Sequence, residues 1–147
     1  MIDYTANIHH ITEEMVDGGF FDGWPDPPSP SAHLRIMKGS HAVWLAVDTD
    51  INKVVGFITA VSDGVISAYI PLLEVIPEYK NKGIGKELVS RMLNSLKGLY
   101  MVDLLCDEDM QSFYAKFGMS NSTGSFLRNY DRQNCEENQN FDCEEGV

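Results

Sequence analysis

Residues 73–88 constrain this chain more than any other stretch. Leu73-Glu74-Val75-Ile76 reads as a buried strand, Pro77 ends it, Lys80 to Gly85 is a short basic loop with two glycines, and a helix starts at once. Glycine lets the main chain take left-handed torsions and come close to a ligand. The first turn of the helix leaves N–H groups without intrahelical partners and presents the positive end of the macrodipole. A strand, loop and helix in this order make a seat for a phosphate or diphosphate within a layered α/β chain.

Two familiar phosphate loops are excluded by single residues. A Walker A loop requires Gly where Lys80 stands and Ser or Thr where Glu87 stands. A dinucleotide fingerprint requires a third Gly where Leu88 stands. What remains, Leu73-x-Val75-x-Pro77 followed by Lys80-x-x-Gly83-x-Gly85, closely resembles the acetyl-CoA signature of the GNAT acetyltransferase superfamily. Lys80 stands where that pattern has Gln or Arg; it keeps a positive charge but not the planar fork of arginine. A second block, Cys106 to Met119, resembles the family's later motif, with Phe113-Tyr114 and a closing Lys116-Phe117-Gly118-Met119. Asp107 falls where the family usually has Asn.

Composition sets the bounds. A chain of 147 residues, 44% hydrophobic, is long enough for one domain with its own core. No apolar run reaches the roughly 20 residues a membrane helix needs, so no membrane association is expected. Met1-Ile2-Asp3-Tyr4 has no signal-peptide character, and the cytoplasm is the expected compartment. Three cysteines do not suggest a disulfide framework, and no metal site is read from them: Cys106 is expected to end a buried strand, while Cys135 and Cys143 fall near the C-terminus. The net charge is −11, of which residues 131–147 carry −5, from six acidic residues against Arg132 alone. That acidity argues against a nucleic-acid partner, since phosphate contacts need clustered Lys and Arg. Residues 1–130 are taken as the domain and 131–147 as an acidic disordered tail.

Along the chain, Tyr4 to Ile8 is expected as a first strand and Thr12-Glu13-Glu14 as a helix start ending at Gly18-Gly19. Ser29 as N-cap with Pro30 behind it opens a second helix that stops near Gly39. Ala42 to Asp48, Lys53 to Ser62 and Val65 to Ile76 are strands, with a hairpin turn at Asp63-Gly64. Pro71 cannot donate to a ladder and predicts a bulge or an unpaired edge. Ile84, Leu88, Met92 and Leu96 mark an amphipathic helix. Tyr100 to Cys106 is a strand; Met110, Phe113, Tyr114 and Phe117 form a helical stripe ended by Gly118; Phe126 to Tyr130 is a last strand. The expected fold is mixed α/β in layers. The resemblance adds a GNAT-like, mostly antiparallel central sheet with splayed fourth and fifth strands and helices on both faces.

The resemblance implies acetyl-CoA as co-substrate, with coenzyme contacts at Val75, Ile76, Lys80, Asn81, Lys82, Gly83, Ile84, Gly85, Lys86 and Asp107. It implies N-acetyl transfer to a primary amine by direct attack in a ternary complex. A main-chain N–H near Val75 would polarise the thioester carbonyl and Tyr114 would serve as general acid, although a Tyr on an apolar helical stripe also reads as packing. The general base falls to Tyr69, which is preferred, or Glu74, which alternates to the face opposite Val75 unless a bulge resets the pleat. Phe20, Phe21 and Trp24 suggest an aromatic or apolar acceptor or, equally, rings that anchor a Pro-rich loop. The four histidines are scattered without metal-ligand spacing. The acceptor is a small-molecule or peptide amine that the sequence does not identify, and a homodimer is compatible with it. A catalytically silent acyl-CoA-binding module on the same scaffold is the rival reading.

Overall fold

The computed structural model describes residues 1–137. Five strands form one sheet in the order β1 (Ile2–Thr5), β2 (Ala42–Asp48), β3 (Lys53–Ser62), β4 (Ser67–Val75) and β5 (Met101–Asp103). All neighbours are antiparallel except β4 and β5. Helices α1 (Glu13–Val16) and α2 (Pro30–Gly39) precede β2; α3 (Ile84–Ser95) crosses from β4 to β5; and α4 (Gln111–Ala115) follows β5.

The helices cover both faces of the sheet because its inner strands are apolar on both sides. On one face Leu45, Val47, Val54 and Phe57 pack with Met15, Val16 and Met37. On the other, Ala46, Val55, Ile58 and Ala60 pack with Ile84, Leu88, Val89 and Met92. β3 lies in the middle of the order and reads as a nearly continuous hydrophobic run, as a strand buried on two faces must. Gly56 allows α3 to lie close: a Cβ there would stand 3.1 Å from Ile84 Cγ2 and from Leu88 Cδ1.

The α2 prediction holds in detail, with Pro30 in the first turn and Ser29 Oγ accepting from the Ala32 N–H at 3.1 Å. α4 ends at Ala115, short of the expected stop at Gly118; the N–H groups of Phe117 and Gly118 donate to the Tyr114 and Ala115 carbonyls in a further turn, where Gly118 takes φ 84°. Pro71 makes the expected bulge. Thr59 faces Leu72 and Val61 faces Tyr69, so Ala60 alone opposes Ile70 and Pro71.

Four expectations are corrected. The first strand is Ile2–Thr5 rather than Tyr4 to Ile8, because Thr5 Oγ1 and Asn7 Oδ1 accept the N–H groups of Asn7 and His9 and turn the chain away. β4 starts at Ser67 rather than Val65, since the Asp63 carboxylate takes the N–H groups of Val65, Ile66 and Ser67. β5 covers only Met101–Asp103 and pairs with Ser67 to Tyr69, the part of β4 before its bulge. Cys106 lies beyond it and is exposed rather than buried. Phe126 to Tyr130 forms no strand: with so short a neighbouring strand it finds no ladder, and Phe126, Leu127 and Tyr130 stand exposed. Residues 131–137 of the expected tail are described, and the Gln133 side chain and Cys135 carbonyl meet Asp26 and Arg35. Cys143 and the rest of that tail lie outside the described residues.

Candidate active site

The parting of β4 and β5 opens the site. Their pairing lasts three residues and ends at Tyr69 and Asp103, while β4 runs on to Val75. The Ile76 N–H donates to the Val55 carbonyl at 2.9 Å, which makes Gly56 and Val75 a non-hydrogen-bonded pair. The N–H groups of Val75 and, two residues earlier, Leu73 therefore point away from β3, into the gap that β5 leaves.

The loop below this gap is built for close approach. Asn81 at φ 63° and Gly83 at φ 84° turn the chain into α3. The first helical bond is donated by the Glu87 N–H to the Gly83 carbonyl at 3.1 Å. Ile84, Gly85 and Lys86 thus begin the helix with N–H groups that have no intrahelical partner, and no side chain caps them. A methyl at Gly83 would meet nothing within 4 Å, and one at Gly85 would come no closer than 3.8 Å, to Val75 Cγ2. The room beside these glycines opens onto a cleft, not onto the core.

One cleft of about 530 Å³ joins the two features. Leu73, Glu74, Val75, Tyr79, Lys80, Asn81, Gly83, Ile84, Gly85, Lys86, Met110 and Phe113 line it. Of the ten expected coenzyme positions, seven (Val75, Lys80, Asn81, Gly83, Ile84, Gly85 and Lys86) line this cleft. Ile76 is spent in the ladder and against Gly19, whose added Cβ would stand 3.0 Å from Ile76 Cγ2. The Lys82 ammonium lies over the Tyr79 ring, 5.1 Å from its centroid. Asp107 precedes a 3₁₀ turn, its carbonyl accepting from the Met110 N–H at 2.9 Å, and does not line the cleft. Leu73, Tyr79, Met110 and Phe113 join the lining beyond the positions the motif implies; the i, i+3 spacing of Met110 and Phe113 is the sequence signal for two of them.

Glu74 sits at the junction of this cleft with the α1–α2 loop. Its Oε1 accepts from the Phe21 N–H at 2.9 Å, while its Oε2 is buried without a partner. Burial raises its pKa above the usual carboxylate value, against the opposing pull of the Phe21 N–H and of Lys80. The bulge lies before both Glu74 and Val75, so these two stay on opposite faces; it is Tyr69 that shares the face of Glu74. Tyr69 nevertheless opens onto a different and larger cleft, about 980 Å³, beside Met101 and Asp103. Tyr114 lines a small neighbouring cavity of about 90 Å³ with Leu104, Cys106 and Gln111, its ring 5.0 Å from that of Phe113. Burial, and secondarily the Cys106 thiol, pushes its pKa up to about 12.

The aromatic residues between α1 and α2 enclose a histidine. Rings of Phe20, Phe21 and Phe57 lie 5.2, 5.1 and 4.4 Å from that of His33. His33 is 1% exposed, its Nε2 has no partner, and burial lowers its pKa to about 4. The adjoining pocket, about 220 Å³, is walled by Gly18 to Phe21 and Pro27 to Pro30. Among the described residues no group of three or more His, Cys, Asp or Glu is placed to hold a metal ion, and no helix is long and apolar enough to cross a membrane.

Known proteins share this architecture. A Deinococcus radiodurans R1 protein, whose assignment as an acetyltransferase is itself provisional, is 42% identical with a TM-score of 0.86, over 90% of this chain and 91% of that one. A GNAT-family acetyltransferase of Streptococcus pneumoniae TIGR4 is 28% identical with a TM-score of 0.70, over 88% and 98%. An uncharacterized N-acetyltransferase, ycf52, of Pyropia yezoensis is 28% identical over 99 residues, 65% of this chain. The alignment spans only 57% of that relative, and 41% of a ycf52-like protein of Prochlorococcus marinus. The sequence profile of the acetyltransferase (GNAT) family matches residues 9–119, and the chain belongs to that family.

Proposed function

We propose that the protein is an N-acetyltransferase that transfers the acetyl group of acetyl-CoA to a primary amine by direct attack in a ternary complex. The observation that carries the reading is the meeting, in one cleft, of the free amides at the start of α3 with the outward N–H groups of Leu73 and Val75. The first set suits a diphosphate and the second a carbonyl oxygen, and the apolar lining between them suits a pantetheine arm. Acetyl-CoA, when bound, supplies the activated acyl group.

The chain's own residues do the rest. Ile84, Gly85 and Lys86 amides hold the diphosphate, with Lys80 and Lys86 as point charges. The Val75 or Leu73 N–H stabilises charge growing on the carbonyl oxygen. Glu74 accepts the proton that the attacking nitrogen sheds; its raised proton affinity brings it nearer the working pH, where a base is most effective. Its place in the cleft favours it over Tyr69. Tyr114 stays protonated and donates a hydrogen bond to the departing sulfur. Outright proton transfer from a phenol near 12 to a thiolate with a pKa of roughly 8.5 would cost about 5 kcal/mol, so the hydrogen bond is the larger contribution. Among the described residues Cys106 shares the small cavity of Tyr114 and is exposed, so the reading keeps direct attack by the amine rather than an acetylated enzyme.

Thiol release from acetyl-CoA, followed across a panel of alkyl, aryl and peptide amines, tests the proposal. Amine-dependent release is expected. Asp107, standing clear of the cleft, favours the silent acyl-CoA-binding module as the second reading; tight coenzyme binding without turnover on any amine would establish it. Absence of coenzyme binding would sink both.

A further inference from the structure

Lys82 is the basic residue of the loop that the cleft leaves out. Lys80 and Lys86 line the cleft and Lys82 does not. Its ammonium lies instead over the ring of Tyr79, 5.1 Å from the centroid. Tyr79 itself lines the cleft, so the lysine is held at the cleft's rim.

The ring is fixed from its other end by a residue distant in sequence. Tyr79 Oη donates to Oδ2 of Asp48, the last residue of β2, at 2.5 Å. The Asp48 side chain is only 13% exposed; its Oδ1 accepts from the Asp50 N–H at 3.0 Å and lies 3.5 Å from the Met1 amino group. The bond between them holds the Asp48 carboxyl below its ordinary pKa and the Tyr79 phenol above its own, so the first stays charged and the second keeps its proton. A phenol that donates to a carboxylate is polarised by it, and the face of an aromatic ring attracts an ammonium. Asp48, Tyr79 and Lys82 therefore form one chain of contacts that runs from the end of β2 to the loop before α3.

We propose that Asp48 is a positioning residue for coenzyme binding: through Tyr79 it holds Lys82 where that lysine receives the 3′-phosphate at the nucleotide end of the coenzyme. The inference rests on the coenzyme reading above and adds a second anionic seat to it. Coenzyme A carries a diphosphate and, apart from it, a phosphomonoester on the ribose. The amides that begin α3, with Lys80 and Lys86, answer the first. With the pantetheine arm running toward Val75, the nucleotide leaves from the opposite end of the diphosphate, over the rim where Lys82 stands. A lysine already clamped on a ring gives up less side-chain freedom on meeting a phosphate than an unheld one does.

Calorimetry on the full chain with coenzyme A, and with dephospho-coenzyme A, which lacks the 3′-phosphate, is the test. The wild-type chain is expected to bind coenzyme A about tenfold tighter than the dephospho form. Lys82→Ala is expected to close that gap. Asp48→Ala and Tyr79→Phe are each expected to narrow it to about threefold, and to change nothing further when combined with Lys82→Ala. Affinity for dephospho-coenzyme A should hold within about twofold in every variant. Equal affinities in the wild-type chain, or a gap intact in Lys82→Ala, overturns the proposal. So does an equal loss of both ligands in Asp48→Ala and Tyr79→Phe, which would leave Asp48 with a structural role alone. Tyr79→Phe, which keeps the ring in place, decides the matter if Asp48→Ala does not fold by circular dichroism. Binding of neither ligand by the wild-type chain would sink the coenzyme reading itself, and this inference with it.

Discussion

The Phe21 amide donates to the Glu74 carboxylate at 2.9 Å, so one side chain both lines the cleft at the start of α3 and holds the loop that walls the aromatic pocket. Phe21 takes φ 58° there, a conformation a bulky residue adopts only when its surroundings over-determine it. A charge buried at such a junction costs stability.

Glu74→Gln separates those duties, because the amide oxygen still accepts from Phe21 while the base is lost. A carboxyl whose folded pKa is raised resists ionisation in the native state, so its burial costs stability above the folded value and nothing below the unfolded value of 4.5. At neutral pH the melting temperature of Glu74→Gln is therefore expected to equal or exceed wild type, with kcat down by about a hundredfold. Glu74→Ala is expected to lose stability as well. Thermal melts beside steady-state rates check both, and full activity in Glu74→Gln would remove it as the base.

Tyr114→Phe keeps the ring and deletes the donor. Turnover should drop at least about tenfold while coenzyme affinity, measured by calorimetry, stays within about twofold. Equal turnover would return Tyr114 to packing alone.

The two loop glycines are expected to fail differently. Gly83→Ala forces a side chain into a left-handed backbone and should lower stability by roughly 1 kcal/mol. Gly85→Ala sits in helical backbone with its nearest neighbour at 3.8 Å, so its melting temperature should hold. Its methyl projects toward the ligand's space, and coenzyme affinity should fall about tenfold or more. Unchanged affinity in Gly85→Ala would show that the diphosphate is not seated there.

His33 predicts a pH dependence. Its folded pKa of about 4 lies below the ordinary 6.5, so below 6.5 the unfolded chain takes up a proton that the native state refuses. Its stabilising effect is complete above pH 6.5 and is lost as pH falls toward 4, by about 3 kcal/mol in all. His33→Leu, which does not titrate, should flatten that part of a plot of melting temperature against pH. An equally steep slope in the variant would assign the loss to other groups.

The loop from Lys80 to Gly85, the caps of α2, the stripe of α3 and the bulge at Pro71 were all legible in the sequence, because each is set by contacts within a few residues: a missing N–H, a left-handed torsion, a hydroxyl three residues from an amide. The family was legible for the same reason, its motifs being local. What tertiary structure alone decided is where separate segments meet. The bulge in β4 puts Tyr69 and Glu74 on one face, yet the early end of β5 leaves them lining different clefts, and neither can be known before the partner strands are placed. Phe126 to Tyr130 has the composition of a strand, yet a strand requires a neighbour's free edge as well as its own residues, and the short β5 offers too little of one.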